Sequence, residues 1–467
     1  GKKLKQQDCK DQSKRPEKRL KKAHRKDQKN GQRKGRIIDR IQTVKDAVKA
    51  RAIMRALISA VSTAQFGEIP GELKRLFAGV VSAGILLTHA HAADVELLPS
   101  PAAENSSLSR VVSDESGNLY LSWVTQTENS ASLYYSVLYE TRWSEPQLVS
   151  RGEDWFINWA DFPVLSVSAE NKTAHWLRMS AEGTYDYDID ARFYDALTDS
   201  WSDTITPHKD GVSAEHGFVS MLPVGNGNTL MSWLDGRNTK TAAGYGEMTL
   251  RAGIFGARGE TLSEWELDAR VCDCCQTSAA MSAAGPIIVY RDRSAGEIRD
   301  IYITRYANGD WTPPVAIHDD QWEIAGCPVN GPSVAAQGDF VAVGWFTAKD
   351  DSPKVQLALS TDSGEHFSAP IRVSGPDTIG RIDTAILANG QVAVSWLDTS
   401  AETAQLTVSR FSAGGSLIDT TVVARTSASR RSGFPIMETI GDDLFVTWTD
   451  ISEGPEVRVA RVDFASP

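Results

Sequence analysis

The sequence is poor in the residues that most often carry chemistry. Its 467 residues include only five cysteines and eight histidines, and aromatics make up 8%. No stretch reaches the roughly 20 apolar residues that a spanning helix needs, so stable membrane insertion is not expected. Basic residues are scarce where the folding residues are dense. Residues 1–92 hold 23 Lys/Arg against 8 Asp/Glu, which leaves 26 against 52 for residues 93–467. A net charge of −26 on that body excludes nucleic acid as its partner, because phosphate binding rests on clustered Lys and Arg. All 13 tryptophans also follow position 122, so the front segment lacks the aromatic mass of a large core, whereas the body can bury one.

Residues 1–73 read as a basic leader. Lys2–Arg36 is almost free of apolar residues and is expected to be disordered, while Ile37–Val61 has the spacing of an amphipathic helix. Residues 74–92 have the layout of a secretory signal peptide. Lys74-Arg75 is followed by the apolar run Leu76–Leu87 and by small residues at Ala90 and Ala92, which predicts cleavage after Ala92. A buried helix is the alternative. The only Met ahead of this segment is Met54, so residues 1–53 are expected to be an over-extended translation start, with a cytoplasmic extension as the other reading. Export makes the expected product a secreted or periplasmic protein, most simply a monomer, beginning near residue 93.

The body repeats. Strand-like strings recur around Trp123, Trp176, Trp233, Tyr290, Trp345, Trp396 and Trp448, at intervals of 51 to 57 residues. Short alternating strands at a period near 50, separated by turn residues, predict an all-β, seven-bladed propeller over residues 93–467. Six blades remain the alternative. Helical solenoids are excluded, since no helical period is sustained. Repeat five shows four strands, at 331–337, 340–346, 354–360 and 369–374. The last repeat ends after a third strand at 456–463, and residues 93–99 are expected to supply its fourth, so that the ring has no open edge.

One string carries a resemblance. Ser360-Thr-Asp362-Ser-Gly364-Glu-His-Phe367 resembles the Asp box of sialidase-like, BNR-repeat propellers, S-x-D-x-G-x-x-[W/F], and sits between a third and a fourth strand as in that family. Residues 304–311 and 195–201 look like eroded copies. The resemblance implies that Ser360, Asp362, Gly364 and Phe367 are structural and lie on the face opposite the ligand site.

Propeller topology brings the loops that enter inner strands and leave second strands to one face, where ligands usually bind. Entry positions supply Asp161, His216, Cys272, Asp273, Cys274, Cys275, Gln276, Cys327, Asn330, Arg381, Asp383, Arg430 and Arg431; exit positions supply Arg178, Asp235, Arg237, Arg291, Asp292, Arg293, Arg299, Asp300, Asp398 and Asp450. Once Cys9 leaves with the leader, the cysteines are confined to two neighbouring entries. Four thiols in an exported protein fit two disulfides. They equally fit a thiolate site for copper or zinc at Cys272, Cys274, Cys275 and Cys327, joined by His216. The expected partner is thus a metal ion, a small ligand or a glycan at the channel mouth.

The rival expectation follows from the resemblance. Sialidase-like enzymes hold a substrate carboxylate with three arginines, use a Tyr/Glu pair as nucleophile and an Asp as acid/base. Arg237, Arg293 and Arg431 are candidates for the clamp, with Asp235 or Asp292 nearby. The family's F/Y-R-I-P arginine has no counterpart here, and no Tyr/Glu pair is legible. An inter-blade ion pair with the Asp of the next repeat is the plainer role for each arginine.

Overall fold

The computed structural model describes residues 93–464 except 170, 197, 242, 243, 401 and 402, so the leader and signal expected over residues 1–92 lie outside it. The described residues form 32 strands and two short 3-10 turns. No helix among them is long and apolar enough to cross a membrane. The strands make seven antiparallel sheets plus one two-stranded hairpin, and the expected seven-bladed propeller is what forms. In blade five the order is Ser333–Gln337, Phe340–Thr347, Lys354–Ser360 and Ile371–Arg372, each next to its chain neighbour. In blade seven Ile436–Ile440, Asp443–Asp450 and Glu456–Asp463 are joined by Asp94–Leu98, whose Asp94 faces Asp463 and whose Leu98 faces Val459.

Each blade lies between two others, so its middle strand is buried on both faces. Strand alternation then deals residues out to the two neighbours. In Phe340–Thr347, Val341, Val343 and Trp345 pack with Ile287 and Val289 of blade four, while Ala342 and Phe346 pack with Val392, Val394 and Trp396 of blade six. The repeated aromatics share one task. Trp123, Trp233, Tyr290, Trp345, Trp396 and Trp448 each enter the apolar cluster shared with the preceding blade. For Trp123 that neighbour is blade seven, through Val457 and Val459. Trp176 differs, stacking on Trp155 at 5.4 Å.

The inner strands carry a second repeat. Blades one, three and six have a bulge near the mouth, where Leu108, Phe218 and Arg381 adopt φ of 53–55°. A side chain from the entry loop of the preceding blade clamps two of these bulges. Phe218 N–H donates to Asp161 Oδ1 (2.8 Å), and Arg381 N–H donates to Asn330 Oδ1 (2.7 Å). Gly217 and Gly380 precede the two bulges, and a Cβ on either would collide with the clamping side chain.

The turn at Ser360–Phe367 joins the third and fourth strands of blade five. Ser360 Oγ accepts from Gly364 N–H and donates to Asp362 Oδ1, Asp362 accepts from His366 N–H, and Gly364 has φ +80°. Phe367 packs between blades four and five. Because strand directions alternate, this turn and the cysteine loops lie at opposite ends of the blades.

Candidate functional site

The cysteine loop immediately precedes the inner strand of blade four, Ser278–Ser282. It is held from both sides. Cys272 N–H donates to Arg291 O (3.0 Å), and Gln276 reaches across the mouth, its Nε2 donating to Ala160 O of blade two and its Oε1 accepting from Gly331 N–H of blade five. So tethered, the loop turns its sulfurs toward one another. Cys272 Sγ stands 3.5 Å from Cys275 Sγ and 3.9 Å from Cys274 Sγ, and the three sulfurs lie within 4.8 Å of each other. Cys327, on the next entry loop, neighbours Cys274 but lies outside this group of three sulfurs. Cys272 and Cys275 are buried, Cys274 is half-buried and Cys327 is exposed; all four are free thiols. Separations of 3.5 and 3.9 Å are far from a disulfide bond of about 2.05 Å. They match the edge of roughly 3.8 Å of a tetrahedron with metal–sulfur bonds near 2.3 Å.

The surroundings favour a thiolate. Arg299 Nη1 lies 3.2 Å from Cys272 Sγ. Hydrogen bonds with Cys274 and Cys275, with Arg291 and Arg299 adding positive charge, hold the Cys272 thiol well below its ordinary value. The hydrogen bond with Cys274 likewise lowers Cys327. In return Cys274 is pushed up by its contact with the Cys272 sulfur, and burial raises Cys275. Arg291 is fully buried and serves structure, donating to the carbonyls of Asn330, Arg299 and Phe346.

A second constellation stands beside the sulfurs and was not legible in the sequence. Tyr187 Oη donates to Asp161 Oδ2 (2.7 Å) and lies 3.1 Å from Glu215 Oε1. Burial raises Asp161 to about 7, and burial together with the Asp161 charge raises Glu215 to about 8. Asp273 and Cys327 also raise Glu215, so this acid group adjoins the thiol site. A Tyr/Glu pair therefore exists, contrary to expectation. Tyr187 opens a third strand, a position outside the entry and exit loops from which the mouth was assembled.

The remaining candidates are not brought to the sulfurs as ligands or into one clamp. His216 faces Asp188, Asp210 and Asp235 and stacks on His208, 3.8 Å away. Its place among the cysteine ligands is thus corrected: the entry loop bends back toward blade two and directs the ring there. Arg237 binds Asp235 of its own loop through Nε (2.7 Å) and Nη2 (2.7 Å). Arg293 binds Glu297 (2.8 Å) and Asp273 (3.3 Å). The shortest of these ion pairs lie within one blade, while longer ones reach Asp210 of the preceding connection from Arg237 (3.6 Å) and Glu247 of blade three from Arg293 (4.0 Å). Arg431 sits in the 3-10 turn Arg430–Ser432 before blade seven. Arg178 binds Asp190 and Asp188; Arg381 donates to the carbonyls of Ser429 and Gly433; Asp300 accepts from Gln321 and Trp322 N–H. Asp383 sits lower, in the channel wall, where it accepts from Ser333 Oγ and Met437 N–H. Burial raises Asp292 to about 7, with Asp268 adding to it. Asp398 lies near the end of the second strand of blade six, Val392–Ser400, and Asp450 ends that of blade seven, where it accepts from Ser452 N–H.

No protein-family model matches the sequence, and no curated protein matches it. Solved structures similar to it include an α-L-arabinanase of Penicillium chrysogenum, 13% identical over 80% of this chain and 98% of that one, with a TM-score of 0.41. The NanB sialidase of Streptococcus pneumoniae is 12% identical over 78% and 69%, at 0.38. The endosialidase of phage phi92 is 9% identical over 80% and 70%, at 0.45. The strand topology by itself makes the described residues a seven-bladed β-propeller.

Proposed function

We propose that the protein is a metal-binding propeller whose channel mouth holds a soft ion, copper(I) or zinc, at Cys272, Cys274, Cys275 and Cys327. The observation that carries this reading is the spacing of three sulfurs, with Cys275 and Cys274 at 3.5 and 3.9 Å from Cys272, which is that of three corners of a tetrahedral thiolate site that Cys327 would complete. Arg299 supports it by favouring the thiolate of Cys272. The exposed Cys327 offers an incoming ion its first ligand, and the buried pair completes the shell. A disulfide framework is the competing chemistry. The test is elemental analysis of the full chain with X-ray absorption at the metal edge. One bound copper or zinc with a sulfur shell, lost in Cys274→Ser and Cys327→Ser, supports the reading. Four oxidised cysteines and no uptake after reduction sink it.

A second reading rests on Tyr187, Glu215 and Asp161. Tyr187 and Glu215 have the residue types of the nucleophile pair in the sialidase resemblance, with Asp161 as acid/base, which favours a glycosidase acting on carboxylate-bearing sugars. Against it stand the fully buried Tyr187 and the dispersed arginines. Release of a fluorogenic sialoside, abolished by Tyr187→Phe, separates this reading from the first.

Export belongs to the same proposal. Cleavage after Ala92 frees the residues that form the outer strand of blade seven, and acidity suits a soluble secreted or periplasmic monomer. Intact mass of the protein recovered outside the cytoplasm tests it, since a product still carrying residues 74–92 contradicts cleavage.

A further inference from the structure

A separate group of ligand-bearing side chains lies where blade two meets blade three. Asp188 and Asp190 come from the third strand of blade two, His208 and Asp210 from the connection that follows, and His216 and Asp235 from the first two strands of blade three. His216 has no exposed surface, and neither of its ring nitrogens makes a hydrogen bond. Both are nevertheless aimed at carboxylates. Nδ1 lies 3.7 Å from Asp188 Oδ1, and Nε2 lies 3.3 Å from Asp210 Oδ2 and 3.7 Å from Asp235 Oδ1. Two polar atoms on a fully buried ring, within ion-pair distance of carboxylates yet making no aligned hydrogen bond, call for an explanation.

The neighbouring groups already have partners. Ile189 N–H donates to His208 Nε2, so the proton of that ring is on Nδ1, which donates to Asp210 Oδ2 at 3.0 Å. Trp233 Nε1 and Arg237 donate to Asp235. Arg178 serves Asp190 and Asp188, and Glu264, 3.6 Å from Arg237, is held by Arg251. Four carboxylates thus face two guanidinium groups, which leaves two negative charges around the imidazole. Solvent reaches the group mainly at Asp188, Arg178 and Arg237, and slightly at Asp190 and Asp210.

We propose that this pocket binds a divalent cation through His216 Nε2, Asp210 and Asp235, with Asp188 completing the charge balance. One imidazole and two carboxylates form a borderline-to-hard donor set that suits zinc or manganese, unlike the sulfur site. Ligand atoms bound at about 2.0–2.2 Å stand roughly 3.3–3.6 Å apart in a tetrahedral shell, and the separations here are 3.3 and 3.7 Å. Trp233, Arg237 and His208 hydrogen-bond these carboxylates and fix their orientation, as outer contacts do in metal sites. His208 is not a ligand: its ring lies parallel to that of His216, so their lone pairs run side by side and do not converge.

The test uses the full chain with Cys274→Ser, which disables the sulfur site. The protein is stripped with a chelator and titrated with zinc chloride or manganese chloride by calorimetry, with X-ray absorption on the loaded sample. One equivalent with only nitrogen and oxygen in the first shell, and a higher melting temperature on loading, is expected. His216→Gln in the same background weakens uptake at least about 100-fold and removes the thermal shift. Should that variant unfold, Asp210→Asn, which preserves shape, is held to the same criterion. No stoichiometric uptake by the Cys274→Ser protein, uptake undiminished by His216→Gln, or sulfur in the first shell overturns the proposal. Failure of the native chain to take copper while this site fills overturns the sulfur reading alone.

Discussion

Arg299 and Asp161 show how single contacts set the chemistry of the mouth. Arg299 Nη1 sits 3.2 Å from Cys272 Sγ and favours the thiolate. Arg299→Gln removes that charge, so the Cys272 thiol is expected to titrate at higher pH, read from thiolate absorbance and from the pH profile of alkylation. Asp161 works in the opposite sense. Burial raises it to about 7, against about 3.9 in an unfolded chain. Between these values the folded protein keeps a proton that the unfolded chain releases, so stability is fully present below about pH 4 and declines as pH rises to about 7. The loss is on the order of 4 kcal/mol for this fully buried group, and Glu215 adds to it in the same direction. Asp161→Asn is expected to flatten that decline, as read from urea unfolding between pH 4 and 8. An unchanged slope would place the proton elsewhere.

Asn is a fitting replacement for Asp161 because the fold already uses it. Asp161, Gly217 and Phe218 at one bulge correspond to Asn330, Gly380 and Arg381 at another, with the same donor, acceptor and missing Cβ. At the level of the element this clamp ties two of the three bulged inner strands to the loop that enters the preceding blade. Gly217→Ala forces a Cβ against Asp161 and is expected to destabilise by about 1–3 kcal/mol. Gly380→Ala meets Asn330 in the same way and adds the strain of φ +75°, so its melting temperature should fall further. Equal stability of both variants with the native chain would refute the clamp. None of this was visible in the strand pattern, because a bulge leaves no mark in hydrophobic alternation. The four strands of blade five were visible, since each is a run of apolar residues bounded by turn chemistry.

Across the whole molecule, seven apolar clusters fill the seven contacts between neighbouring blades, and the cluster around Trp123 joins the first blade to the last. Trp123→Ala is expected to cost about 3–5 kcal/mol, seen as one cooperative shift in thermal unfolding. Deleting residues 94–98 leaves Glu456–Asp463 as an open edge, and the protein should then associate, as detected by light scattering. A monomeric, equally stable deletion variant would show that this strand is dispensable.

The sequence by itself determined the propeller class, the strand order within a blade and the pair of loops that carry the cysteines, and it favoured seven blades over six. Those features follow from local hydrogen-bonded hairpins and from the period at which an aromatic must fill the gap beside a preceding blade. Tertiary structure decided which groups meet at the mouth. His208 and Asp210 lie in the connection between blades two and three, outside any repeat position, and Tyr187 opens a third strand, yet ring geometry delivers them to His216 and Glu215. Convergence of that kind depends on how loops of unequal length bend over the rim. No periodicity in the chain records it.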